Sequence, residues 1–347
     1  MSVPDYLRFN SDYMEGAHPE ILRRLGEENL LKHPGYGEDD LCEAAKEKIR
    51  AACGCPNARV EFLVGGTQTN ATVIDALLRN WQGVVAVSTG HIALHEAGAI
   101  EASRHKVLAV PGGPDGKLTA KVLEEHLAAY WADGDREHMV EPGMVYISQP
   151  TEHGAVYSKA ELTALHDICR RYDIPLYADG ARLAYALAAE GADVTLHDLC
   201  ELTDAFYIGG TKCGAMIGEA VVFPNPDIVS HFVAQKKQHG GLLAKGWLLG
   251  LQYYVLFTDD LYLELGKNAI HKALRLRNIL TSKGYTLYYD SPTNQQYVLL
   301  ENEKMRQLAE KCAFAFWENA DENHTVVRFC TSWATTDEQL DALEAAL

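Results

Sequence analysis

Met144-Val145-Tyr146-Ile147-Ser148-Gln149, a helical stretch Lys159–Arg171 with Leu162, Leu165, His166 and Cys169 along one stripe, and Pro175-Leu176-Tyr177-Ala178-Asp179 succeed one another mid-chain. The two short runs are largely apolar, as strands buried on both faces are, while the stretch between them repeats its apolar positions at the helical period. Strand, helix and strand in that order make one crossover unit of a parallel sheet. The rhythm extends outward: further strand candidates are Arg59–Val64, Val84–Ser88, Lys106–Val110, Ala205–Ile208 and Ala220–Phe223, and Thr67–Asn80 places Val73, Ile74, Leu77 and Leu78 on a helix. The expected fold class is therefore α/β, a mostly parallel seven-stranded sheet flanked by helices. After Pro224-Asn225-Pro226 the texture changes to a long helical region, Ile228–Lys283, interrupted at Gly240-Gly241. Segments Tyr285–Tyr289 and Gln295–Leu300, a helix through Trp317, the strand Thr325–Cys330 and a last helix from Thr336 complete it. This part reads as a smaller α+β C-terminal domain, so the expected division is 1–240 and 241–347.

Composition narrows the function. The 347 residues carry 48 acidic and 31 basic side chains, a net charge of −17, and 47% are apolar. A chain of this length and apolar content buries a sizeable core without staples. The excess negative charge, with no Lys/Arg-rich run, opposes phosphate backbones and anionic lipid surfaces. Nucleic acid and membrane are thus excluded as expected partners, and small metabolites remain. The N-terminal MSVPDYLRFNSDY has no basic segment followed by an apolar one, and no stretch approaches a membrane span, so a cytoplasmic location is expected. Eight scattered cysteines without a C-x-x-C pair read as free thiols.

In open α/β sheets ligands bind beyond the carboxyl ends of the strands. Gly65-Gly66-Thr67-Gln68-Thr69-Asn70 comes after one strand and opens a helix, an arrangement that suits a phosphate, or an ordinary strand-to-helix turn. In Tyr177-Ala178-Asp179-Gly180-Ala181-Arg182 an apolar strand ends on a carboxylate, which needs donors or a cation if buried, or else caps a helix. In Gly209-Gly210-Thr211-Lys212 a strand runs into a lysine, either a surface residue or an amine suited to a Schiff base. Together the three are the handles that pyridoxal 5'-phosphate requires: a phosphate cup, an acid that keeps the pyridine nitrogen protonated, and an amine that condenses with the aldehyde. His91, in Thr89-Gly90-His91-Ile92, offers a ring to stack on the pyridine and a nitrogen titrating near neutrality. A rival grouping takes His91 and His95 with Glu96 or His105 as a metal cluster. Arg328, inside Thr325–Cys330, suits a carboxylate bidentately, or a structural salt bridge.

These residues resemble the low-specificity threonine aldolases of the β-eliminating lyase group, within the fold-type I pyridoxal-phosphate enzymes. Asn10-Ser11-Asp12, Gly35-Tyr36-Gly37-Glu38-Asp39, Gly65–Asn70, Gly90-His91-Ile92, Glu96-Ala97-Gly98, Asp179-Gly180-Ala181-Arg182, Thr211-Lys212 and Arg328 occur in the family's order. The resemblance implies that Lys212 is the Schiff-base lysine, Asp179 the pyridine-nitrogen partner, Gly66 and Thr67 the phosphate cup, and His91 the stacking ring. It implies that Ser11, Arg182 and Arg328 hold the substrate carboxylate and that Tyr36 serves the site near a neighbouring subunit, in a homodimer or homotetramer.

Two departures stand out. The family's Asn-Thr-His loop reads Gln149-Pro150-Thr151-Glu152-His153 here, displacing the histidine by two. Where the family has a phosphate-binding arginine after its glycine-rich stretch, His239-Gly240-Gly241-Leu242-Leu243-Ala244-Lys245 offers Lys245 nearby. The implied reaction is retro-aldol cleavage of L-threonine, L-allo-threonine or a related β-hydroxy-α-amino acid to glycine and an aldehyde, with His91, His153 or a water as base. The alternatives are β-elimination from a β-substituted amino acid and a cofactor-binding module without activity.

Overall fold

The computed structural model describes residues 6–347. Residues 1–5, where the segment read for a leader begins, lie outside the described residues. All seven expected strands form, with ends shifted by a few residues: β1 (Arg59–Leu63), β2 (Gln82–Val87), β3 (Lys106–Val110), β4 (Glu141–Ser148), β5 (Leu176–Asp179), β6 (Ala205–Gly209) and β7 (Glu219–Phe223). They build one sheet in the order β1-β7-β6-β5-β4-β2-β3. Neighbours run parallel, except that β7 lies antiparallel to both β1 and β6. Strands β5, β6 and β7 are buried at every residue, as both-face coverage by helices demands. The covering helices include α1 (Asp40–Cys53), α2 (Gly66–Leu77) and α3 (Lys159–Tyr172). Helix α3 starts on a Ser158–Glu161 capping box and stops at Asp173 in the left-handed conformation.

Beyond β7 the helical stretch breaks at Gly240-Gly241 as expected, leading into α4 (Trp247–Leu256) and α5 (Leu261–Ser282). A four-stranded antiparallel sheet comes next, made of β8 (Thr286–Leu287), β9 (Gln295–Glu301), β10 (Ala315–Asn319) and β11 (His324–Cys330) in the order β10-β11-β9-β8. The helix expected through Trp317 is not there. Helix α6 spans Asn302–Ala309, and Trp317 lies in the edge strand β10, whose register against β11 shifts between Phe316 and Glu318. That bulge breaks the alternation by which a strand is read. The last helix, α7 (Asp337–Ala346), is capped by Thr336.

Two apolar cores sandwich the large sheet and a third lies under the small one. Helix α5 joins them, with Leu265, Ala269 and Ile270 in a large-sheet core and Leu276, Ile279 and Leu280 in the third. The N-terminal strand Leu7–Arg8 pairs with Cys312–Ala313 and sends Leu7 and Phe9 into that third core. The adjoining segment, Asn10–Tyr13, is thereby carried back toward the large sheet. Among the described residues no helix is long and apolar enough to cross a membrane.

Candidate active site

The carboxyl ends of β1, β2, β4, β5 and β6 face two cavities that share His91, Glu152 and Lys212 in their walls. The inner cavity, about 160 Å³, is completed by Gly65, Gly66, Asp179, Tyr207, Thr211 and Glu219 among others. The outer one, about 530 Å³, adds Tyr13, His95, Arg182, Phe316, Trp317 and Arg328 from both sheets and the N-terminal segment. Lys212 thus stands between a small polar chamber and a wider aromatic one, with its Nζ 5.9 Å from the Tyr13 ring centre.

Asp179 ends β5 fully surrounded by donors. Its Oδ2 accepts from Tyr146 Oη (2.7 Å) and Asn70 Nδ2 (3.0 Å), and its Oδ1 from the Ala181 N–H (2.9 Å). Burial works to raise its pKa, but His91 and the donors of Tyr207, Tyr146 and Asn70 bring it below the usual carboxylate value, so it is ionised. Asn70 also donates to Glu96 Oε1 (2.7 Å), and that same oxygen contacts His91 Nδ1 at 2.8 Å. Burial alone would lower the His91 pKa; Glu96, with Glu152 and Asp179 nearby, reverses this and raises it. His91 therefore has its Nδ1 fixed on Glu96 and its ring in the wall of both cavities.

On the substrate side the two arginines differ. Arg182 is bound by a buried acid, Nε to Asp12 Oδ2 at 2.6 Å and one terminal nitrogen to Oδ1 at 3.1 Å. Arg328 has no acidic partner among the described residues; it donates to Gln295 Oε1 (2.8 Å), lies 5.6 Å from the Trp317 ring centre and leaves its buried Nε unpaired. A guanidinium that lines the outer cavity without an acidic partner has the chemistry to take a carboxylate.

Not every expected residue arrives. Thr67 is exposed on the first turn of α2 and lines neither cavity. Ser11 is buried with its hydroxyl unpaired and lines neither cavity. Tyr36 lines a separate cavity with Lys236 and Lys237, and Lys245 is exposed away from Lys212. His153 lines only the outer cavity, stacked on Tyr289. Conversely, Glu152, Glu219, Thr211 and Asp12 belong to the site or its support without having been singled out. His91, His95 and His105 do not form the rival cluster: among the described residues no three His, Cys, Asp or Glu side chains converge as a metal site.

The inner cavity fits pyridoxal phosphate. Gly65 precedes α2 in extended conformation with no side-chain cap, and a Cβ on it would project into open space. The first-turn N–H groups of α2 have no partner within the helix, which makes an anion cradle. The ionised Asp179 and the Lys212 amine line the same chamber. The family profile described as "Beta-eliminating lyase" matches residues 9–315. The chain belongs to the β-eliminating lyase family. Members are pyridoxal-phosphate-dependent lyases, and the fold agrees. A solved Leishmania major threonine aldolase superposes with a TM-score of 0.94 at 41% identity, covering 98% of each chain. A low-specificity L-threonine aldolase of Pseudomonas aeruginosa is 28% identical over 97% of this chain and 95% of its own. Thermus thermophilus aspartate aminotransferase, at 18% identity and a TM-score of 0.70, shares the fold with this β-eliminating lyase family member.

Proposed function

We propose that this lyase cleaves L-threonine, L-allo-threonine and related β-hydroxy-α-amino acids to glycine and an aldehyde. The observation that carries the reading is the similarity, over nearly the whole chain, to threonine aldolases of Leishmania major and Pseudomonas aeruginosa. Bound pyridoxal phosphate supplies a sink for the electron pair released when Cα–Cβ breaks. The chain's own residues do the rest. Lys212, Asp179 and the Gly65-Gly66 turn hold the cofactor. Arg328 binds the substrate carboxylate and thereby orients the bond to be broken. Asp179, ionised, would hold a proton on the cofactor's pyridine nitrogen, and His91, braced by Glu96, would offer its ring to stack on the pyridine. Phe316 and Trp317 line the outer side of the wider cavity. Lys212→Ala is expected to remove the cofactor's bound absorbance band and reduce threonine cleavage by at least about 10³-fold; retention of both would overturn the assignment.

The family's own description favours one second reading, β-elimination from β-substituted amino acids. Pyruvate and ammonia, in place of glycine and acetaldehyde, would mark it. We further propose a cytoplasmic homodimer or homotetramer, in which the exposed Tyr36 and Lys245 are presented to a neighbouring copy. The division into a large cofactor-binding and a small C-terminal domain is likewise proposed, with α5 as the shared helix.

A further inference from the structure

Among the described residues, Glu152 is the only carboxylate that lines both cavities. The other acids there are committed. Asp179 accepts three hydrogen bonds, and Glu219 accepts from the Gly210 N–H at 3.3 Å on the inner wall. Glu318 lines only the outer cavity, on the edge strand β10, and its charge raises the Tyr288 pKa. The Glu152 carboxylate, by contrast, accepts no hydrogen bond and has no cationic nitrogen within 4.0 Å among the described residues. Its carboxylate nevertheless favours the charged forms of His91 and Arg182, which line the same walls.

Its backbone is fixed. Tyr297 Oη donates to the Glu152 carbonyl. Thr151 on one side donates through Oγ1 to the Asp115 carbonyl (2.7 Å) and receives the Ala155 N–H on the same oxygen (3.1 Å). His153 on the other side is turned aside: its ring lies flat on Tyr289 at 4.3 Å, meets Trp317 edge-on, and its Nδ1 is bonded to the Pro114 carbonyl at 3.1 Å. The tight turn Thr151–Ala155 therefore delivers the glutamate, and not the histidine, to the junction of the two cavities beside Lys212.

Resting on the aldolase reading above, we propose that Glu152 is the group that takes the β-hydroxyl proton of the substrate. The Oβ–H proton passes to the Glu152 carboxylate, the freed O–H pair becomes the second C–O bond of the aldehyde, and the Cα–Cβ pair stays with Cα. One proton then added at Cα gives glycine, so every substrate atom is recovered in the two products. A free carboxylate in hydrogen-bond reach of its proton is what general-base catalysis requires.

The test uses the cofactor-loaded enzyme and two reactions that share substrate binding and protonation at Cα; threonine cleavage breaks Cα–Cβ and deprotonates a hydroxyl, whereas glycine exchange breaks Cα–H and involves no hydroxyl. Glu152→Gln is expected to lower kcat for threonine cleavage about 10²–10³-fold with KM changed less than about threefold. Exchange of the glycine α-proton in D2O, followed by NMR, and the bound-cofactor absorbance are expected to stay within about twofold of wild type. Formate is expected to restore at least about tenfold of the cleavage lost in Glu152→Ala. Cleavage by Glu152→Gln above one-third of wild type, or parallel loss of glycine exchange, would overturn the role. If wild type itself exchanges the glycine proton but cleaves no β-hydroxy amino acid, the aldolase reading fails, and the role of Glu152 with it.

Discussion

Arg182 and Asp12 show how one residue's position depends on another far away in sequence. Asp12 has no exposure, and it also accepts from Asn294 Nδ2 at 2.9 Å. Burial works against its charge, but Arg182, Lys212 and Asn294 hold its carboxyl well below the usual carboxylate range. Three separate parts of the chain, the N-terminal segment, the end of β5 and the entry to β9, are tied through this one acid. Removing one partner of a buried pair leaves the other charge uncompensated. Asp12→Ala is therefore expected to lower stability by about 3–5 kcal/mol in urea unfolding, and an additional Arg182→Met change should recover part of it. Asp12 appeared in sequence only as part of Asn10-Ser11-Asp12, since its partner lies 170 positions away and nothing local marks the pairing. Lys212, Asp179, His91 and Arg328 were legible because each ends or interrupts an apolar run, where a polar side chain demands a reason.

At the scale of elements, the seven large-sheet strands were readable because strands buried on both faces are continuous apolar runs flanked by turn residues. Strand β10 was not, being an edge strand with a bulge and with Phe316 exposed. The antiparallel strand β7 hid a site residue for a different reason. Residues just after a strand lie at the carboxyl edge of the sheet only when that strand runs parallel to its neighbours; β7 brings its first residue there, with Glu219 opposite Leu63 and Gly209. Burial pushes the Glu219 carboxyl up to about 8, against the opposing pull of Thr211 and Lys212. The unfolded chain releases this proton near pH 4.5, and the folded protein keeps it to about 8. The folded state thus binds more protons in that window, and stability falls as pH rises through it. Glu219→Gln removes the effect. In the cofactor-free protein, its stability advantage over wild type is expected to be larger at pH 9 than at pH 5 by on the order of 2–4 kcal/mol in denaturant titrations. A difference independent of pH would contradict this.

Over the whole molecule, the charge of −17 contrasts with a cleft that gathers charges of both signs. Lys212, Arg182 and Arg328 line the cavities with His91, Glu152, Glu318 and Asp179, while acids such as Glu20 and Glu27 lie exposed on a helix face, paired with Arg23. Charges of both signs in one cleft favour a small zwitterionic substrate, while the net negative charge keeps the surface self-repelling. Exposed Tyr13, Leu94, Met216, Ile217 and Phe316 surround the same region, so copies that associate there would do so through apolar contact. Light scattering is expected to give a mass of two or four times 38.3 kDa; a monomer at micromolar concentration would leave Tyr36 and Lys245 without a site to serve. The place of β7 has a further consequence, for the order in which the molecule assembles. Strand β1 has a single sheet neighbour, β7, so Arg59 waits for Phe223. During synthesis the glycine turn at the end of β1 is made early, but its strand has no sheet partner until β7 emerges, and such long-range pairings form late. A nascent chain halted before Glu219 holds Asp179 and Lys212 while the strand leading into the Gly65-Gly66 turn lacks its sheet neighbour, so cofactor capture is expected to await completion of the large sheet.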